Sequence, residues 1–162
     1  MTEPLAHKTN AMRLLDAAGI AYGSASYEVD ESDLSGTHVA ALLGQDPAQV
    51  FKTLVLNGDK QGHLVCCIPA DAELDLKKAA RASGNKKVEM IPMKTLCDTT
   101  GYIRGGCSPI GMKKPFPTYN DETAILWDEI AISAGVRGGQ ILIDPEVLAT
   151  FVDAPLVDLV CD

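Results

Sequence analysis

Two segments, Phe51 to Leu56 and His63 to Ile68, are rich in β-branched and apolar residues at consecutive positions, and only Asn57-Gly58-Asp59-Lys60-Gln61-Gly62 separates them. Successive side chains of a strand point to opposite faces, so a continuous apolar run makes both sides of the strand hydrophobic. The pair reads as a central hairpin that the rest of the chain must cover on two faces. With 162 residues, 46% of them apolar, the chain has the material for one such core.

The covering elements carry their own start and stop signals. Thr9 or Asn10 caps a helix in which Met12, Leu15 and Ala18 recur at helical spacing, and Gly19 stops it. Ser35 or Thr37 opens a second helix with Val39, Leu42 and Leu43, ended by Gly44, and Asp46-Pro47 starts a further turn. Asp75 to Ala82 places Leu76, Ala79 and Ala80 inward and its lysines outward, and Gly84 closes it. Pro92 opens a helical turn and Asp144-Pro145 a last helix. Ile20 to Val29, Val88 to Ile91, Ala124 to Ile132, Gln140 to Ile143 and Leu156 to Val160 favour extended structure, and Tyr102 to Gly111 is a loop. The pattern predicts an α+β fold: a single domain with a mixed, barrel-like β-sheet surrounded by short helices.

Several function classes are disfavoured by the same sequence. A net charge of −8 with a mean hydropathy of +0.06 does not match a disordered chain or a uniformly basic nucleic-acid binder. Uninterrupted apolar runs such as Val65 to Ile68 and Ala124 to Trp127 fall far short of the roughly 18 residues that span a bilayer. Met1 to Asn10 holds Glu3, His7 and Lys8 and no apolar core, so no secretory leader is expected and a cytoplasmic location is. Cys66, Cys67, Cys97, Cys107 and Cys161 form an odd set without a CxxC pair, and His7, His38 and His63 lie far apart. Reduced thiols, no metal site and no cofactor are the expectation.

Net charge conceals a segregation. From Lys77 to Lys114 there are nine basic residues against two acids, +7, while the remainder holds five against twenty, −15. A local basic patch on an acidic body can hold phosphates without binding every polyanion, and a solvated helix face gives the same pattern.

Three places carry candidate chemistry. Lys52 stands within the apolar strand, where desolvation disfavours its charge; it either snorkels to the sheet rim or is kept for an anion or a reacting carbonyl. Gly105-Gly106-Cys107-Ser108-Pro109-Ile110-Gly111 is a loop whose amides can converge on an oxyanion, or simply a tight connection. Ser133-Ala134-Gly135-Val136-Arg137-Gly138-Gly139 is a similar turn. Cys107 has no neighbouring His or acid in sequence to activate it, which favours an inert thiol over a nucleophile.

Taken together and in this order, Phe51-Lys52-Thr53-Leu54-Val55, Gly101-Tyr102 followed by Gly105 to Gly111, and Ser133-Ala134-Gly135 before Arg137-Gly138 resemble the YbaK/EbsC family of aminoacyl-tRNA deacylases. The strings Leu76 to Ala80 and Lys86 to Met90 strengthen the resemblance, which runs almost end to end. It implies one editing domain over residues 1–162, acting on the ester between an amino acid and a tRNA 3′ end, with cysteine on proline tRNA as substrate. It implies catalytic roles for Lys52, Gly105 and Gly106, and substrate-binding roles for Tyr27, Thr53, Cys107, Ser108, Ser133 and Gly138. It further implies that the substrate's own thiol attacks the ester and leaves as a thiolactone, with no metal or cofactor. The implied partners are a mischarged tRNA and prolyl-tRNA synthetase, with no membrane. Gln140 stands where some members carry an acidic pocket residue. The alternatives are a water-using deacylase for alanine or serine esters, and a non-catalytic module that binds tRNA or a synthetase.

Overall fold

The computed structural model describes residues 3–162; Met1 and Thr2, the start of the segment read as lacking a leader, lie outside the described residues. The predicted hairpin is present as β2 (Phe51–Gly58) and β3 (Gly62–Pro69), paired antiparallel from Phe51↔Pro69 to Gly58↔Gly62. Its two faces diverge in destination by simple alternation. Phe51, Val55, Val65 and Cys67 enter one cluster, while Leu56, Leu64, Cys66 and Ile68 enter another. At about 1.5–3 kcal/mol for each large apolar side chain removed from water, this doubly covered hairpin is a main source of folding free energy.

The sheet is not closed into a barrel. A five-stranded sheet runs β4 (Val88–Met90), β2, β3, β5 (Thr118–Asp121), β8 (Leu156–Val157). A separate three-stranded sheet runs β1 (Gly23–Ser26), β7 (Gly139–Ile143), β6 (Ile130–Ser133). Among the described residues, only the parallel bridge Val50↔Ala131 joins their ladders. The reason is the inner core: Ile130, Ile132, Ile141 and Ile143 of the small sheet pack against Phe51, Val55 and Val65 of the large one.

Helices cap the edges and outer faces. In α1 (Asn10–Ala17) Thr9 Oγ1 accepts from the Met12 amide, and Met12 and Leu15 are buried in the inner core. In α2 (Gly36–Leu43) Ser35 caps the start and Gly44, at φ 66°, the end. In α3 (Leu76–Ser83) Asp75 accepts from the Lys77 and Lys78 amides and Gly84 ends the helix. Each such side-chain cap contributes about 1 kcal/mol. A short α4 (Leu96–Thr100) follows the 3-10 turn that Pro92 opens, and α5 (Pro145–Phe151) starts at Asp144 as predicted.

Some details differ from the sequence reading. Leu76 and Leu42 are exposed, as is Ala18, because each helix buries a narrower stripe than its apolar content suggests. Ala124 to Ile132 is not one strand: Asp121 Oδ2 accepts from the Thr123 amide and starts a 3-10 turn over Glu122–Leu126, leaving only Ile130–Ser133 extended. β5 was not anticipated, since its Thr-Tyr-Asn-Asp sequence has no strand pattern; parallel pairing with β3 supplies what its sequence lacks.

Candidate active site

The bridge between the sheets positions the first group of side chains. The Ala131 amide donates to Gln49 O at 3.1 Å, and β2 continues beside β6 beyond that point. Lys52 lies two residues after Val50 and Ser133 two after Ala131, so strand alternation sends both to the same side. Ser133 pairs with Gln140 on β7, and Gln140 pairs with Ala25 on β1. One row thus crosses the junction: Lys52, Ser133, Gln140, Ala25. Beside this row α2 packs Ala40 against Val50, Ala70 and Ala131, and Val39 and Leu43 against Ala25 and Tyr27.

Lys52 is half-buried. Desolvation lowers its pKa, opposed by the negative charges of Asp71 and Glu73. Its Nζ donates to Ala70 O at 3.3 Å, and among the described residues no carboxylate stands within 4.0 Å of it. An ammonium carries three donors, so two remain for an incoming anion.

A second group forms where the two glycine-rich loops meet. A Cβ on Gly106 would stand 3.0 Å from both Arg137 N and Val136 C, and one on Gly105, at φ 85°, 3.2 Å from Leu34 Cδ2. Gly138, at φ 88°, would meet Tyr27 O at 3.2 Å, and its carbonyl accepts from the Tyr27 amide at 3.0 Å. Arg137 staples the pair, its Nε donating to Arg104 O at 2.8 Å and its guanidinium reaching Glu31 at 3.8 Å. Tyr27, Gly105, Gly106 and Gly138 are therefore neighbours. Only glycine permits this contact between backbones.

The Gly106 amide donates to Ile103 O at 2.9 Å and is committed to the turn, whereas the amides of Gly105, Cys107 and Ser108 have no acceptor among the described residues. Ser133 Oγ accepts from the Gly135 amide at 3.1 Å, which fixes the second turn. The Gln140 side-chain oxygen is buried without a partner among the described residues, a costly arrangement that a donor from outside would relieve.

The remaining predicted site residues lie on the inner face. Thr53 alternates with Lys52 and points the other way, with Oγ1 3.8 Å from Cys67 Sγ. Ser108 is fully buried and its Oγ accepts from the Ile110 amide at 3.2 Å, a turn-forming contact. Burial pushes the Cys107 thiol up to about 11 against the opposing hydrogen bond of Thr100, and Cys66 and Cys67 to about 12. These thiols stay protonated at neutral pH, and a protonated thiol is a poor nucleophile.

Sequence reasoning missed Leu34 and the Ala70 carbonyl, whose roles come from contacts across long separations that no local pattern signals. Of the basic stretch, Lys78 is paired with Asp158 at 2.9 Å and Asp162 at 3.2 Å. Lys77, Arg81, Lys86, Lys87, Lys94, Arg104, Lys113 and Lys114 are exposed and form no ion pair among the described residues. No helix is long and apolar enough to cross a membrane among the described residues.

Known proteins resemble this chain along most of its length. The family model of the aminoacyl-tRNA editing domain matches residues 35–151. A protein of Enterococcus faecalis named "Putative Cys-tRNA(Pro)/Cys-tRNA(Cys) deacylase EbsC" is 49% identical over 152 residues, 94% of this chain and 93% of that one. Among solved structures, "a putative trans-editing enzyme for prolyl tRNA synthetase" superposes with a TM-score of 0.82 at 24% identity, covering 97% of this chain and 100% of the other. The hypothetical protein APE2540 superposes with a TM-score of 0.84 at 19% identity over 92% and 97%. Those two show a shared fold; the family match and the near end-to-end identity show descent, and the chain belongs to the aminoacyl-tRNA editing domain family, in its YbaK/EbsC group.

Proposed function

We propose that residues 1–162 form an aminoacyl-tRNA deacylase domain that removes cysteine from mischarged proline tRNA, and from cysteine tRNA as well. The observation that carries this reading is the 49% identity, along nearly the full length of both chains, to a protein named for that deacylation. The site supports it. Lys52 keeps free donors beside the Ser133–Gln140 row and pairs with a phosphate or the adenosine of the 3′ end. The free amides of Gly105, Cys107 and Ser108 face the developing oxyanion, where aligned donors contribute about 3 kcal/mol each. Gly106 serves by letting the two loops touch, and Tyr27, Ser133 and Gly138 shape the pocket, while Thr53 faces the inner core beside Cys67. The unpartnered Gln140 oxygen accepts from the substrate's α-ammonium.

The neutral protein thiols favour substrate-assisted cleavage. The cysteine sulfur bonds to its own carbonyl carbon, the ester C–O bond breaks, the thiol proton passes to the departing ribose oxygen, and a thiolactone and uncharged tRNA are released. Intramolecular attack supplies roughly 7 kcal/mol or more through effective molarity. The exposed lysines meet the acceptor stem, and because the rest of the chain is acidic, prolyl-tRNA synthetase holds the tRNA and acts as partner. A tRNA substrate sets the cytoplasm as location.

The test is a deacylation panel with purified protein and proline tRNA charged with cysteine, alanine, serine or proline. Rapid loss of the cysteine ester alone is expected. Equal or faster loss of alanine or serine would replace the thiol route with hydrolysis, and no loss of any ester, with tRNA bound, would make the chain a binding module.

A further inference from the structure

A groove of ≈ 740 Å³ lies immediately beyond the glycine loop, apart from the Lys52 row. Pro109 and Ile110 form one wall, and Phe116, Tyr119 and Phe151 supply three of the chain's eight aromatic rings. Four prolines line it, Pro109, Pro115, Pro117 and Pro155, so much of its rim has fixed φ and lacks amide donors. Phe116 is held edge-on by His63, with ring centroids 5.4 Å apart. Lys114 lines the groove, exposed and without an ion-pair partner among the described residues, and Lys113 precedes it. Asp153, exposed, lines the same groove on a backbone at φ 54°.

Rigid aromatic walls with a lysine at the edge fit one ligand chemistry closely: unpaired nucleobases on a phosphate backbone, which stack on rings while the cation meets a phosphate. A peptide adding as a β-strand would need amide donors that a proline-lined rim does not supply. Asp153 would repel a phosphate placed beside it, but a cytosine offers its amino group as a donor to such a carboxylate and a uracil does not. Ile110 is four positions beyond Gly106, so the groove begins within about 14 Å of Gly106.

We propose that this groove binds the unpaired cytidines that precede the terminal adenosine of the substrate RNA. This rests on the deacylase reading, which puts the ester at the Gly105 to Ser108 loop. The groove then selects a polynucleotide end over a free amino-acid ester and holds the ester in register.

The experiment uses the full chain and an uncharged RNA hairpin with an ACCA overhang whose penultimate cytosine is replaced by the fluorescent analogue pyrrolocytosine. Binding is expected to quench the fluorophore. Lys114→Glu and Lys114→Ala, both at an exposed position, weaken binding about fivefold and reduce the slope of log affinity against log salt by about one. Asp153→Asn, which suits the left-handed backbone but can donate to uracil O4 as well as accept from the cytosine amino group, reduces a preference for the CCA over a UUA overhang. Absence of quenching with bound RNA, or Lys114 variants that bind like the original, overturns the proposal. Quenching in a protein that cleaves no aminoacyl ester keeps the groove as an RNA site and overturns the deacylase reading instead.

Discussion

Gly106→Ala is the sharpest test of the contact between the two glycine loops. Gly106 is not among the positive-φ glycines, so alanine meets no backbone strain and the whole effect is steric. Its new Cβ would stand 3.0 Å from Arg137 N and from Val136 C, and 3.2 Å from Val136 Cα. Carbon atoms are comfortable at about 3.5–4.0 Å, so the loops must part by about half an ångström. Neither can yield by rotating a side chain. The second loop is held at both ends, by Tyr27 N to Gly138 O at 3.0 Å and Ala134 N to Gly139 O at 3.0 Å. Such overpacking costs about 1–3 kcal/mol. At about 2–4 °C per kcal/mol for a domain of this size, Tm falls by roughly 2–12 °C. Half an ångström is also about the tolerance of a preorganised site, so deacylation of the cysteine ester should drop about 10–100-fold.

The control is Gly84→Ala at the end of α3, where φ is 73° and only Gln61 Nε2 lies near, at 3.8 Å. Left-handed strain there costs roughly 1–2 kcal/mol, a comparable fall in Tm far from the loops. Single-turnover deacylation and thermal unfolding of both variants, compared below their melting range, separate geometry from stability. If folded Gly106→Ala cleaved within twofold of the original protein, or Gly84→Ala lost as much activity, the steric argument would be wrong.

Lys52→Met should abolish deacylation without lowering stability by more than about 1 kcal/mol, since it removes a half-buried charge and one hydrogen bond to Ala70 O. Because the folded-state pKa of Lys52 is lowered, the unfolded chain binds the proton more tightly, and stability gains from this group as pH rises from the lowered value to 10.5. Denaturant midpoints should show that gain in the original protein and lack it in Lys52→Met. Under native conditions a thiol reagent should label exposed Cys97 and Cys161 first and reach Cys66, Cys67 and Cys107 only on unfolding; fast labelling of Cys107 at neutral pH would restore it as a nucleophile. Proline tRNA carrying S-methylcysteine should bind but be cleaved orders of magnitude more slowly than the cysteine ester, with thiolactone detected by mass spectrometry only for cysteine. Equal rates would mean that water attacks.

Local signals in the sequence determined the elements. Thr9 and Ser35, each one of two candidates, and Asp144 open the helices expected of them, Asp75 caps the helix it was expected to begin, Gly44 and Gly84 each end one, and the hairpin runs over the predicted strands. These succeed because capping and strand alternation are decided by atoms a few residues apart. The glycine loops, Lys52 and Ser133 were marked by residue type and by their resemblance to an editing family, which the comparisons bear out.

What only the tertiary structure decided depends on long separations. Two sheets joined at one bridge around a shared inner core, rather than a closed barrel, follow from how the isoleucines of β6 and β7 meet β2 and β3, and no local pattern records that pairing. β5 exists because β3 offers it a ladder. The sequence set Lys52 and Thr53 side by side, yet adjacent strand residues must face opposite ways, so they reach different layers. Gly106 was read as an oxyanion donor, but its amide closes a turn on Ile103 and its missing Cβ admits Arg137, thirty-one positions further along the chain. A residue type limits what a position can do; the neighbours that folding brings to it select which of those things it does.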